Sequence, residues 1–218
     1  MTLAIFDLDN TLLAGDSDYL WGRFVVERGL VDKASYDAQN QRFYEDYKRG
    51  ELDVRAYLRF ALEPLTRYPA EELHALRAEF LQEIIRPIVL EAGQELVRDH
   101  AHRGHVTMII TATNRFITGP IAELFGVEHL LATTPEFRGG RYTGEVIDEP
   151  TFREGKVKAL DIWLAERSEQ PRQSWFYSDS HNDLPLLEKV TNPVAVDPDK
   201  QLRELAQARG WPVISLRN

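Results

Sequence analysis

The chain has 218 residues, with 35 acids against 26 Lys and Arg for a formal net charge of −9, and no cysteine. This excludes disulfides, thiolate catalysis and cysteine-held metal clusters. It also argues against a large nucleic-acid footprint or charge-driven binding to anionic membranes, both of which need a basic face. The 43% apolar and 28% charged fractions are those of a folded globular protein, and the length suits one domain, or one core with an inserted lobe.

Leu3 to Leu8 is an apolar run broken only by Asp7, which predicts a buried parallel strand ending at a turn. Residues 15–86 differ, with aromatic and apolar residues at helical spacing. Tyr19, Leu20, Phe24 and Val25 form one amphipathic stretch, and Phe43, Tyr44 and Tyr47 a second. Val54, Tyr57, Leu58, Ala61 and Leu62 form a third, and Leu73, Leu76, Phe80 and Ile84 a fourth after Pro69. From Pro87 onward, strands and helices alternate. Helices are predicted over Gly93–His102, Asn114–Phe125, Gly155–Arg167, Leu184–Val190 and Gln201–Arg209. Strands are predicted over Val106–Thr111, Ser174–Tyr177, Pro193–Val196 and Val213–Leu216, and a hairpin over Phe137–Val146 turning at Gly139-Gly140. No element is assigned between Gly126 and Phe137. The alternation predicts an α/β fold with a parallel sheet. No apolar run approaches the roughly 20 residues that span a bilayer, and Asp7 and Asp9 make the first residues a poor signal peptide. A soluble cytoplasmic protein is expected.

Two acid clusters follow predicted strands: Phe6-Asp7-Leu8-Asp9-Asn10-Thr11 and Ser178-Asp179-Ser180-His181-Asn182-Asp183. Ligands of open α/β sheets bind at the carboxyl ends of strands. Alternation along Asp7-Leu8-Asp9 places both carboxylates on one side. Carboxylates gathered in this way repel one another, and a hard divalent cation such as Mg²⁺ relieves that repulsion.

These clusters, with Thr111 and with Lys156 in Arg153-Glu-Gly-Lys-Val, resemble the four motifs of the haloacid dehalogenase superfamily of phosphatases. The match is closest to its phosphoserine-phosphatase-like branch. The resemblance implies a Rossmann-like parallel-sheet core over residues 1–14 and 87–218, a helical cap over 15–86 and a small β-hairpin insert. It implies that Asp7 is the nucleophile, forming an aspartyl-phosphate, and that Asp9 is the general acid and base. Mg²⁺ is implied at Asp7, the backbone carbonyl of Asp9, Asp179 and Asp183. Thr111 and Lys156 are implied to hold the phosphoryl oxygens. Asn182 either orients Lys156 or the metal shell, or caps the helix before Leu184.

The resemblance also places Asp16 where relatives bind a substrate amine and Arg59 where they bind a carboxylate. Asp16 reads equally as a helix cap, and Arg59 as a solvated helix face. The branch's usual Ser-Gly-Gly is Thr111-Ala112-Thr113 here, and its Gly-Asp-Gly is Ser178-Asp179-Ser180. These bulkier residues weigh against phosphoserine. Trp21 or Tyr19 is a candidate wall for a flat group, and His181 a candidate contact to substrate. An acid for an amine beside an aromatic wall suits histidinol phosphate, with phosphoserine as the alternative. A phosphomutase keeps the same motifs. A receiver-like phosphoacceptor module has no room for the 70-residue insert implied after the first strand. The expected partner is a small phosphorylated metabolite, not nucleic acid or membrane, and the chain is a monomer or a homodimer.

Overall fold

The computed structural model describes residues 1–217. Strand β1 (Thr2–Phe6) is followed by helices α1 (Ser17–Glu27), α2 (Lys33–Arg49), α3 (Val54–Arg67) and α4 (Ala70–Phe80). A π turn over Leu81–Ile85 and a 3-10 turn over Arg86–Ile88 lead into α5 (Glu91–His102), β2 (Val106–Asn114) and α6 (Arg115–Phe125). Next come β3 (His129–Thr133), the hairpin strands β4 (Pro135–Arg138) and β5 (Arg141–Val146), and α7 (Glu154–Ala165). Strand β6 (Gln173–Ser178), a 3-10 turn over His181–Asp183, α8 (Leu184–Leu187), β7 (Asn192–Val196), α9 (Lys200–Arg209) and β8 (Val213–Ile214) complete the fold.

Among the described residues, six strands form one parallel sheet in the order β3-β2-β1-β6-β7-β8. Side chains alternate across it. Ala4, Phe6, Ile109 and Tyr177 point into one core, and Leu3, Ile5, Met108, Ile110 and Phe176 into the other. The first core is closed by α5, α6 and the four helices that follow β1, through residues such as Val97, Ile121, Trp21, Leu62 and Phe80. The second is closed by α7, α8 and α9, through Leu160, Leu186 and Leu202. This is the Rossmann-like α/β architecture expected from the sequence.

The helix ends follow local chemistry. Asp16, Asp32, Asp53, Asn114 and Asp199 each accept a backbone N–H of the first turn of their helix. The hairpin turn places Gly139 and Gly140 at φ 61° and 82°, the left-handed pair that a two-residue turn requires.

Two expectations are corrected. His129–Thr133 is a strand, added in parallel to β2 with His129 opposite Met108. It is a partly buried edge whose His-Leu-Leu-Ala-Thr sequence carries no alternation, so only its pairing defines it. Strand β2 also runs beyond Thr111 to Asn114, with a register shift between these two residues, and Asn114 caps α6 rather than beginning it. No helix among the described residues is long and apolar enough to cross a membrane.

Candidate active site

The central strand β1 has β2 on one side and β6 on the other. The chain adds β2 and β3 on one side of β1 and then crosses over to add β6, β7 and β8 on the other, so a crevice opens beyond the carboxyl ends of β1, β2 and β6. Asp7 follows β1 directly, its N–H donating to the Tyr177 carbonyl at 2.9 Å. The chain then turns sharply through Asn10, at φ 57°, a conformation that Asn tolerates better than most residues. The turn brings Thr11 against the second acid cluster. The Thr11 hydroxyl donates to the Asp179 carboxylate and accepts the Asp179 N–H, both at 3.1 Å.

Lys156 is buried in the first turn of α7, and its Nζ donates to Asp7 and to Asp183, each at 2.7 Å. Gly155 makes this close seating possible, because a Cβ there would lie 1.9 Å from the Pro150 carbonyl oxygen. Ser178 donates at 2.6 Å to Asp183 Oδ2, the same oxygen that accepts from Lys156, and so adds a second anchor to that carboxylate. Asp9 is held on both oxygens, by the Ser17 N–H at 2.6 Å and the Thr113 hydroxyl at 2.7 Å. Thr111 is buried, and its hydroxyl accepts the Thr113 N–H at 3.2 Å.

Most of these groups border a cleft of about 740 Å³, counting the space continuous with solvent, while Asp179 stands behind its lining. Asp7, Asp9, Thr111, Lys156, Asn182 and Asp183 line one end. Tyr19, Phe43, Tyr44, Tyr57, Asp16 and Asp18 line the part contributed by the helices after β1. Among the described residues, Lys156 is the only basic side chain lining the cleft.

Burial sets the electrostatics. It raises the Asp7 carboxyl, and Asp183 adds to the effect while Lys156 opposes it. It holds Asp179 well above the usual carboxylate range, reinforced by Asp7 and Asp183. It pushes Asp9 up to about 6, with Asp16 adding repulsion. Burial alone would lower Lys156, but the Asp183 and Asp7 carboxylates overcome it and stabilise the ammonium.

Whether a metal fits can be judged from the charges. Asp7, Asp179 and Asp183 are mutually close enough to repel, yet the one ammonium among them pairs with Asp7 and Asp183 and leaves Asp179 without a cation partner. With all three ionised the group carries an excess of two negative charges, which one divalent cation cancels. Among the described residues no three His, Cys, Asp or Glu side chains form a ready-made cage. An all-oxygen donor set completed by a backbone carbonyl and solvent, the habit of Mg²⁺, is the kind that fits.

The structure separates the sequence candidates. Asp16 lines the cleft and also caps α1, accepting the N–H groups of Asp18 and Tyr19 at 3.0 and 2.9 Å. Asn182 reaches the cleft but neither orients Lys156 nor caps a helix. Its carbonyl accepts Arg153 Nε at 3.0 Å, and its amide donates to the Tyr47 carbonyl at 3.2 Å. Asp183, not Asn182, holds Lys156. Arg59 is exposed and borders a separate depression beside Asp32 and Glu63. Trp21 is core, packed on Phe24, Phe80 and Phe116, because the inward stripe of α1 carries it below the cleft wall. His181 is bound through its N–H and Nδ1 to Asp199, at 2.8 and 2.7 Å, and does not line the cleft. Of the two aromatic candidates, Tyr19 is the wall, its ring centroid 5.0 Å from that of Tyr44.

Sequence reasoning missed Thr113, Asp18, Tyr57 and Arg153. Thr113 lies beyond the strand end expected at Thr111, and it enters the site because β2 runs on to Asn114 across a register shift. Asp18 had no signal, since an acid in the first turn of a helix reads as a dipole partner. Here it is buried, accepting from Tyr57 Oη at 2.7 Å and Asn114 Nδ2 at 3.2 Å.

Burial pushes Asp18 up to about 7, with Asp9 adding repulsion and the Tyr57 hydroxyl opposing. A carboxyl raised in the folded state contributes stability that is full below its unfolded value and lost as pH rises through the folded value. The substrate-free protein should therefore lose stability between about pH 4 and about pH 7. Asp18→Asn should flatten that fall in Tm. A Tm profile parallel to the wild type's across this range would contradict the buried, cation-free carboxyl.

The family model of haloacid dehalogenase-like hydrolases matches residues 4–188. A histidinol-phosphatase of Neisseria meningitidis is 47% identical over 219 positions, covering 99% of each chain. A phosphoserine phosphatase of Mycobacterium tuberculosis is 33% identical, covering 98% of this chain and 70% of its own length. Among solved structures, a Bordetella pertussis protein of unknown function superposes with a TM-score of 0.93 at 47% identity, covering 99% of this chain and all of that one. A substrate-bound phosphoserine phosphatase superposes at a TM-score of 0.72 and 18% identity, covering 99% and 93%, a likeness of fold.

Proposed function

The chain belongs to the haloacid dehalogenase-like hydrolase family, and from that premise we propose that it hydrolyses histidinol phosphate by way of an aspartyl-phosphate on Asp7. One observation carries the substrate choice. The cleft joins an acid–ammonium end to an end with two carboxylates and an aromatic wall, and Lys156 is the only base lining it among the described residues. Histidinol phosphate offers a phosphate ester at one end, and an amine and an imidazole at the other. The name of the Neisseria meningitidis relative supports the same reading.

Phosphoserine is the second reading, favoured by the fold neighbours and the mycobacterial relative. Its carboxylate needs a cation. Lys156 is engaged by Asp7 and Asp183, Arg59 lies off the cleft, and Asp16 and Asp18 face the incoming anion. Phosphate release over a panel of histidinol phosphate, phosphoserine and nucleotides tests the choice. Histidinol phosphate should exceed phosphoserine in kcat/KM by about 100-fold, since a misplaced charge is rejected strongly. Equal rates on both would refute the assignment.

The mechanism follows from the held side chains. Asp7 attacks phosphorus, the bond from phosphorus to the ester oxygen breaks, and Asp9 gives its proton to the departing alcohol. With a carboxyl raised to about 6, Asp9 can carry that proton near neutral pH. Asp9 then takes a proton from water as it attacks phosphorus, and the Asp7–phosphorus bond breaks to release phosphate. Lys156 and Thr111 hold the phosphoryl oxygens, and the Thr113 and Ser17 donors fix the direction of Asp9. Mg²⁺ would be held by Asp7, Asp179 and the Asp9 carbonyl, with Asp183 in support. When bound, it supplies positive charge to the phosphoryl oxygens. Excess chelator should bring phosphate release to background, and added Mg²⁺ should restore it. Full activity in chelator, with no metal by elemental analysis, would overturn the metal assignment.

In this reading residues 15–86 are a cap that closes over the substrate and excludes water. Contacts across the mouth support it: Tyr47 Oη donates to Ser180 Oγ at 3.1 Å, and Arg153 donates to the Gly50 carbonyl. The cytoplasmic setting expected from the sequence belongs to the same proposal.

A further inference from the structure

We propose that Asp18 is the specificity-determining residue of the cleft, accepting an N–H from a nitrogen-bearing ring on the substrate and turning away esters whose far end is anionic or purely hydrocarbon. The proposal rests on the phosphomonoesterase reading above and adds to it the group that selects the ring.

Asp18 is 8% exposed, yet it lines the cleft. Its carboxylate is fixed from two other elements. Tyr57 on α3 donates to one oxygen at 2.7 Å, and Asn114 at the end of β2 donates to the other at 3.2 Å. Both donors are neutral. None of the ion pairs among the described residues includes Asp18. A carboxylate has about four acceptor sites, so two donors leave capacity for a third group. Keeping an ionised carboxylate buried without a cation is costly unless something else arrives to compensate it.

The neighbouring acid is differently placed. Asp16 directs one oxygen at two N–H groups of α1, so part of its capacity serves the helix. Asp18 has no such local duty. Around it the cleft is shaped for a flat group. Tyr57 meets the edge of Phe43 with centroids 5.4 Å apart, and Tyr19 and Tyr44 lie 5.0 Å apart. Aromatic faces accept a planar ring, and a carboxylate in their midst selects a ring carrying an N–H. The fixed geometry means little reorganisation when the ring arrives. Burial also keeps the Asp18 carboxyl in the range where a proton can be shared with a weakly basic ring.

The test compares two esters that differ only in the ring: histidinol phosphate and its phenyl analogue, 2-amino-3-phenylpropyl phosphate. The wild type should favour the imidazole ester in kcat/KM. Asp18→Asn should shrink that ratio by about 100-fold, because a site built to bond an N–H leaves polar groups unpaired when the match is lost. The loss should fall mainly on KM. Tyr57→Phe, which leaves Asp18 in place but less firmly held, should shrink the ratio by a smaller factor and guards against misfolding of the first variant. A merely structural role predicts equal losses on both esters, and that result overturns the proposal, as does a wild type with no ring preference. The identity of the substrate is decided by a different outcome. A wild type that cleaves phosphoserine best refutes histidinol phosphate as the substrate, while the ring ratio still decides the role of Asp18.

Discussion

Asp7→Asn is expected to lower phosphate release from every phosphomonoester by roughly four to six orders of magnitude, the scale on which loss of a covalent nucleophile is felt. The fold should survive the change. Asn has nearly the same shape, and Lys156 keeps its bond to Asp183 at 2.7 Å. The substitution also removes one of the carboxylates that raise Asp179. Its Tm should therefore match or exceed the wild type's at neutral pH, where the carboxylates would otherwise be ionised. The decisive measurement is single-turnover release from an aryl phosphate by a variant shown to be folded by circular dichroism. Near-wild-type turnover would remove Asp7 from the role of nucleophile.

The second large effect concerns Asp9. Asp9→Asn should slow turnover by roughly 10²–10⁴, the usual contribution of a positioned general acid and base. The effect should fall on kcat, because Asp9 is aimed by Thr113 and Ser17 whether or not substrate is present. It should also depend on the leaving group. An ester of an acidic phenol departs without help, so its first step should suffer less than that of an alkyl ester. An unchanged rate constant on alkyl esters would show that another group moves the proton. Thr113→Val offers a milder comparison: it leaves the carboxyl but removes one of its two anchors, and should cost less than Asp9→Asn.

The two large effects concern residues that can be read from the chain itself. Asp7 and Asp9 follow an apolar run, and Asp183 ends a cluster that begins where β6 stops. Such positions need little tertiary knowledge, because the carboxyl ends of parallel strands share one edge of the sheet. Lys156, opening a helix near that edge, is picked out only by the resemblance to the family's motifs, since a lone Lys reads as a solvated residue. The hairpin is legible from its two glycines, which announce their turn. The strand at His129–Thr133 was not legible, since its identity lies in pairing with β2 rather than in its own pattern.

Cleft residues away from the first strand's acid pair were the least legible. Arg59, Trp21 and His181 are chemically suitable, and the fold turns each away from the cleft: Arg59 to solvent, Trp21 into the core, His181 onto Asp199. Asp18 and Tyr57, with no motif of their own, meet there instead, 39 positions apart in sequence. The strand–helix alternation and the acid pair after the first strand are legible along the chain alone. Which helix faces close the cleft depends on packing between residues far apart in sequence. Strand ends are placed by backbone pairing along a sheet of regular spacing. A helix face is placed by the packing of distant apolar side chains, where a rotation of one residue, about 100°, exchanges a core residue for a binding one.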